Sequence, residues 1–172
     1  GHADWNNFQS KLKDNGFTVS MEDSIICRMR LGELKVDFMP SDEKILGFSN
    51  RWYSKAIDTA SIFPLSNEIH IQLISPPYFL ATKLEAYKGR GNDDPIGSHD
   101  IEDILNIVDG REELINEVSA ESAEVKQYIS TEIESLFSND GFQYAVQSAA
   151  GISGREEVIF ERLEALIDMK DQ

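Results

Sequence analysis

Apolar residues recur at helical spacing over most of this chain and alternate only in short runs between Ile25 and Ile74. At the start, Trp5, Phe8, Leu12 and Phe17 mark a helical stripe that ends at Asn15-Gly16, a C-terminal helix signal. The runs IICRMRL and LKVDFM then read as strands joined by Gly32-Glu33, a two-residue turn with glycine in its first central position. That turn sets a register in which Leu31 faces Leu34, Met29 faces Val36 and Cys27 faces Phe38 on the buried side, with Arg28 facing Asp37 on the other. RWYSKAIDTA predicts a short helix, and EIHIQLI a strand with Ile69, Ile71 and Leu73 on one face and His70 and Gln72 on the other.

A different pattern begins at Ser75, a plausible N-cap followed by Pro76 at the first helical position and by Leu80, Leu84 and Tyr87 at helical spacing. Lys83 and Arg90 then share one face of this helix, two turns apart. Three glycines and a proline make Gly89 to Gly97 a loop, because they supply neither the backbone restriction nor the donors of a helix. The next helix starts near Ser98 to Asp100 and buries Ile101, Ile104, Leu105 and Val108, leaving Asp100 and Asp103 beside its first turn. Two cations can therefore face two acids across a polar loop.

Beyond Gly110 the pattern is helical throughout. Val125, Ile129, Ile133, Leu136 and Phe137 form one stripe, Phe142, Ala145, Val146 and Ala149 another, and Ile159, Leu163, Leu166 and Ile167 a third. Polar breaks at Ser138 to Gly141 and Gly151 to Gly154 separate them, as in a bundle of neighbouring helices. The pattern predicts an α+β fold, with a small sheet and its flanking helices in residues 1–75 and a helical part in residues 76–172, packed as one unit.

Composition narrows what such a fold can do. A chain of 172 residues with 41% hydrophobic content can bury a real core. Its 31 Asp and Glu against 16 Lys and Arg leave a net charge of -15, which disfavours direct binding to duplex DNA or to anionic membrane surfaces. Cys27 is the one cysteine, which excludes an intrachain disulfide and a cysteine-rich zinc site and suits a reducing cytoplasm. No secretory signal and no apolar run of about 18 residues occurs. The start Gly1-His2 lacks an initiator Met and resembles an expression scar, so natural sequence is expected to be missing before Ala3.

The chemistry-bearing candidates are few. Asp37, flanked by Val36 and Phe38, reads equally as the ion-pair partner of Arg28 and as a metal ligand. Asp100 and Asp103 also fit an ordinary acid-rich helix start, and Lys83 a solvated lysine whose stem covers apolar surface. His70 and His99 have no second His or Cys at metal-binding spacing. No Ser-His-Asp grouping, Walker loop or dinucleotide fingerprint is present.

Taken together, VDFMP at Val36 to Pro40, EIHIQLIS leading into SPPYFLATKLEAYKGR, then SHDIEDILNIVDGREEL and the tail REEVIFERLEALI, the chain from Phe17 onward resembles the nucleotidyltransferase-fold proteins of the AbiEii type. The resemblance implies a partial nucleotidyltransferase-like mixed or antiparallel sheet with flanking helices, followed by a helical bundle. It implies transfer of a nucleotide from an NTP to an RNA or protein acceptor in a toxin-antitoxin or phage-defence system, with an antitoxin protein as a partner. Carried over, Asp37 is the strand carboxylate that ligates magnesium, Lys83 and Arg90 hold the nucleotide phosphates, and Asp100 orients or deprotonates the acceptor. The family's Gly-rich turn and paired Asp-x-Asp should precede Ala3, and no Asp-x-Asp occurs in this sequence, which leaves Asp37 short of the carboxylates a two-metal site needs. The alternative is a non-catalytic binding or interaction domain on a degenerate nucleotidyltransferase fold, with a basic protein partner suited to the excess negative charge.

Overall fold

A computed structural model of the protein describes residues 2–19, 27–39, 50–151 and 154–171. The fold is α+β, with two small antiparallel ribbons and a helical C-terminal region, and the chain divides into two units, 1–50 and 51–172.

The first unit contains helix α1 (His2–Asp14) and strands β1 (Arg28–Leu31) and β2 (Leu34–Asp37). Gly16, with φ +88°, reverses the chain after α1, and the Phe17 amide donates back to the Leu12 carbonyl at 3.0 Å. Positive φ at Gly32 (+61°), but not at Glu33, is what a type II′ hairpin requires. The expected register is the one formed: Arg28 opposite Asp37, Met29 opposite Val36 and Leu31 opposite Leu34. The Phe38 amide extends the ladder to the Cys27 carbonyl. Burial departs from the expectation at the turn, where Leu31 and Leu34 are exposed while Cys27 and Met29 are buried. Phe38 instead packs edge-on against both Phe8 and Phe17. Residues 20–26 and 40–49, including Ile25, Ile26 and Pro40 of the sequence motifs, lie outside the described residues.

The second unit starts at Arg51. Trp52 and Ala56 are buried in the helical core, Trp52 between Tyr78 and Tyr128, so α2 (Tyr53–Asp58) belongs with the helices. The Arg51 guanidinium covers the Trp52 ring at 4.9 Å and the Tyr128 ring at 5.3 Å. Strands β3 (Ser61–Pro64) and β4 (His70–Leu73) follow and pair with each other, Phe63 opposite Ile71 and Ser61 opposite Leu73.

Six helices complete this unit: α3 (Pro76–Arg90), α4 (His99–Gly110), α5 (Leu114–Ser119), α6 (Ala123–Leu136), α7 (Asp140–Ala150) and α8 (Glu156–Ile167). Helix α4 is central, packing on α3, α7 and α8, and its expected stripe of Ile101, Ile104, Leu105 and Val108 is wholly buried. Its last carbonyls, which have no partner inside the helix, are covered from α8: Arg162 donates to the Val108 and Asp109 carbonyls at 2.8 and 2.6 Å. Arg155 adds a 2.6 Å bond to the Asp109 carboxylate. The later stripes form as read except at their ends, where Phe137 is exposed and Ala150 rather than Ala149 is buried. Helix α5 was not separately legible, and it buries Leu114 and Val118. Among the described residues no helix is long and apolar enough to cross a membrane.

Because Ile104 is fully buried where three helices meet α4, Ile104→Ala is expected to lower the unfolding free energy by about 2–5 kcal/mol. Urea denaturation should show a lower midpoint with an unchanged slope.

Candidate functional site

Helices α3 and α4 are antiparallel neighbours joined by an eight-residue connection, 91–98, and that geometry brings Lys83, Arg90, Asp100 and Asp103 together. Helix α3 runs one residue past Gly89 to Arg90, so the polar loop is shorter at its start than the glycine count suggests. Its reversal is made at Asn92 and Asp93, both with positive φ (50° and 56°), and the Asp94 amide closes on the Gly91 carbonyl at 2.9 Å. Asn and Asp tolerate this left-handed region better than other side chains do. Asp94 then accepts from the Ile96 and Gly97 amides through one carboxylate oxygen, and Asn139 donates to the Asp93 carbonyl and carboxylate. Ser98 caps α4 through a 3.4 Å bond from the Ile101 amide.

Asp100 is the centre of the cluster. It is only 3% exposed, and both its oxygens are taken by Arg90, Nε to Oδ2 and Nη2 to Oδ1, each at 2.8 Å. Lys83 Nζ stands 3.4 Å from Asp100 Oδ1 and 2.5 Å from Asp103 Oδ2. A carboxylate so enclosed has lost most of its water, and burial by itself pushes its pKa up. The Arg90 hydrogen bonds, the Arg90 charge and the Lys83 charge together outweigh that push, so Asp100 is held below the usual carboxylate range. Arg90 is correspondingly raised, first by its bonds to Asp100. An acid held in this way is a weak base at neutral pH and a good anchor for two cations.

The anchored cations are not equally closed off. The Arg90 side chain is 64% exposed and borders an open pocket of about 380 Å³, together with Gly91, Asn92, Ser98, His99 and Asp100. Lys83 is more enclosed, and its ammonium lies 5.6 Å from the centre of the Phe79 ring. His99, almost fully exposed, faces Glu102 one turn on at 3.2 Å.

Asp37 belongs to the other unit, where Arg28 grips it with two bonds of 2.7 and 2.8 Å. Those hydrogen bonds hold its carboxyl below the ordinary value against a smaller upward effect of burial. Among the described residues no group of three or more His, Cys, Asp or Glu side chains could hold a metal ion. With both oxygens of Asp37 on Arg28, the donor set in this arrangement does not fit a divalent ion, and no chemical step is derived through one.

Asp103, Asn139 and Asp94 are the residues that spacing underplayed. Asp103 makes the shortest contact to Lys83, Asn139 ties the loop to α7, and Asp94 shapes it. Asn139 carried a readable signal as an N-cap residue, since its side chain accepts from the Gly141 amide, but nothing local points from it to a loop 46 residues away.

Asp100→Asn is expected to destabilise the fold by about 3 kcal/mol at neutral pH, since it leaves two cations around a neutral amide. A carboxyl whose folded pKa lies below its unfolded one contributes stability that is complete above the unfolded value, near about pH 4, and is lost as pH falls toward the folded value. Denaturation curves from pH 7 to 2 should therefore converge for wild type and Asp100→Asn only at the acid end.

No family model, curated protein or solved structure matches this chain.

Proposed function

We propose that residues 76–110 form the phosphate-binding side of a nucleotidyltransferase-type site, which takes an NTP and directs its nucleotidyl group to an RNA or protein acceptor in a toxin-antitoxin or phage-defence setting. The observation that carries this reading is the convergence of Lys83 and Arg90 on the buried Asp100, beside an open pocket bordered by the exposed Arg90 guanidinium. A triphosphate presents oxygens in the planar, bidentate geometry that a guanidinium fits. Arg90 can turn an N–H to it while Asp100 keeps the side chain in place, and Lys83 can exchange the half-exposed Asp103 for a phosphate oxygen without leaving Asp100.

In the transfer itself, an acceptor hydroxyl oxygen bonds to the α-phosphorus, the bond from that phosphorus to the bridging oxygen breaks, and pyrophosphate leaves. Cations placed on the phosphate oxygens offset the charge that develops there. Asp100 acts as a positioning residue, and the hydroxyl proton passes to water. No Asp-x-Asp pair occurs in this sequence, so the chain by itself is proposed to bind NTP and to need further carboxylates for transfer. Asp37 enters this reading only through the resemblance that assigns it to the metal. The single cysteine and the class of reaction support a cytoplasmic location in this reading.

A second reading, a non-catalytic interaction domain with a basic protein partner, is favoured by one specific observation. Lys83, Arg90, Asp100 and Asp103 already satisfy one another, and Asp37 is closed by Arg28.

Calorimetry separates the two. ATP is expected to bind with a millimolar or lower Kd, to raise the melting temperature, and to bind at least about tenfold more weakly to Lys83→Ala and Arg90→Ala. Absence of heat and of a melting shift supports the second reading. Binding unchanged in both variants contradicts the assignment of Lys83 and Arg90.

A further inference from the structure

The β3–β4 ribbon keeps an apolar face open where folded proteins ordinarily cover one. Five of the fourteen large apolar side chains exposed among the described residues, Ile62, Phe63, Leu65, Ile69 and Leu73, fall within this ribbon and its turn. Strand pairing puts Ser61, Phe63, Ile71 and Leu73 on one side and Ile62 and Gln72 on the other. That first side looks across an open groove of about 820 Å³, closed at its far wall by Phe79 of α3 and Ile107 of α4. A groove of that size with an apolar floor has room for a short peptide segment. Charge gives the ribbon little protection against strand pairing, since Glu68 is the only charged residue between 59 and 82, which leaves Pro64 at the end of β3 as its edge guard.

Charge selects among occupants. A second copy of this chain would bring another net charge of -15 to the contact, and an anionic lipid surface is repelled for the same reason. Asp58, three residues before β3, and Glu68, in the turn between the strands, have no ion-pair partner among the described residues, while the groove's own acids, Asp103 and Glu117, are paired with Lys83 and Arg111. The geometry points to a docking groove for an extended segment of a basic protein, with alternate apolar residues seated against Phe63, Leu73, Phe79 and Ile107 and Lys or Arg between them. Extended backbone suits the open ribbon edges, and alternation follows from the two-residue strand period. The proposal does not require nucleotide binding: Arg90 and Asp100 lie outside this groove, and of their cluster only Asp103, held by Lys83, reaches its lining.

The test is calorimetric titration of the full chain, at physiological salt, with the heptapeptide Lys-Leu-Lys-Leu-Lys-Leu-Lys and its Glu-Leu counterpart. The lysine peptide should bind at least about tenfold more tightly than the glutamate one, and Phe63→Ser should weaken it at least about tenfold. Ile62→Ser, on the opposite side and more exposed, and Arg90→Ala should leave binding unchanged, and the melting temperature confirms that each variant is folded. Leu73→Ser replaces Phe63→Ser if the latter fails to fold. Equal binding of the two peptides, equal loss in Ile62→Ser, or a dimer in sedimentation that Phe63→Ser dissociates would each overturn the proposal.

Discussion

A carboxylate that is 3% exposed must be paired, and the region of α3, the loop and α4 is arranged around meeting that requirement for Asp100. The Asp100 side chain leaves the first turn of α4 at the edge of the buried Ile101, Ile104, Leu105 and Val108 stripe and meets the last turns of α3. Arg90 reaches it from the end of α3 and Lys83 from two turns earlier, which fixes both the separation and the rotation of the two helices. The connection between them can then be polar and glycine-containing without being loose, because Asp94 and Asn139 hold it at its own backbone. The same pairing that stabilises the fold therefore presents an oriented guanidinium at the surface.

Much of this was legible because the deciding signals are local. Ser75-Pro76 and Ser98 mark helix starts, the apolar stripe at helical spacing marks the buried face of α4, and two cations seven residues apart must share a face of α3. Gly32-Glu33 set the register of the first hairpin, and the Arg28–Asp37 pair follows from it directly. Where local reading failed, the cause was a distant contact. The short helix of RWYSKAIDTA is readable, but that Trp52 is enclosed by Tyr78 and Tyr128 depends on residues far along the chain. The Arg155 and Arg162 caps on α4 depend on α8 arriving beside Asp109, and no spacing rule reports that. In the β3–β4 ribbon the alternation of Ile69, Ile71 and Leu73 was read correctly as a face, but alternation alone does not state whether a face is covered.

The two acid sites differ in what they can do. Asp37 and Arg28 pair across a small ribbon at partial exposure, where such a pair is worth under about 1 kcal/mol and serves mainly to satisfy both groups. Asp100 is enclosed, carries two cations, and leaves one of them open to solvent. That asymmetry is why the nucleotide reading rests on α3 and α4, and why a metal role for Asp37 has only the resemblance behind it. The chain has, besides, a largely apolar groove whose charged lining residues, Asp103, Arg111 and Glu117, are ion-paired, and the proposed protein contact lies there and not at the pocket that Arg90 borders.

The claim on which the rest depends is that Arg90 and Asp100 act as one unit across the loop. A double-mutant cycle with Arg90→Ala, Asp100→Ala and the double variant, followed by urea denaturation at pH 7, measures it most directly. The account predicts a coupling free energy above about 1 kcal/mol, while additive losses within about 0.3 kcal/mol would contradict it.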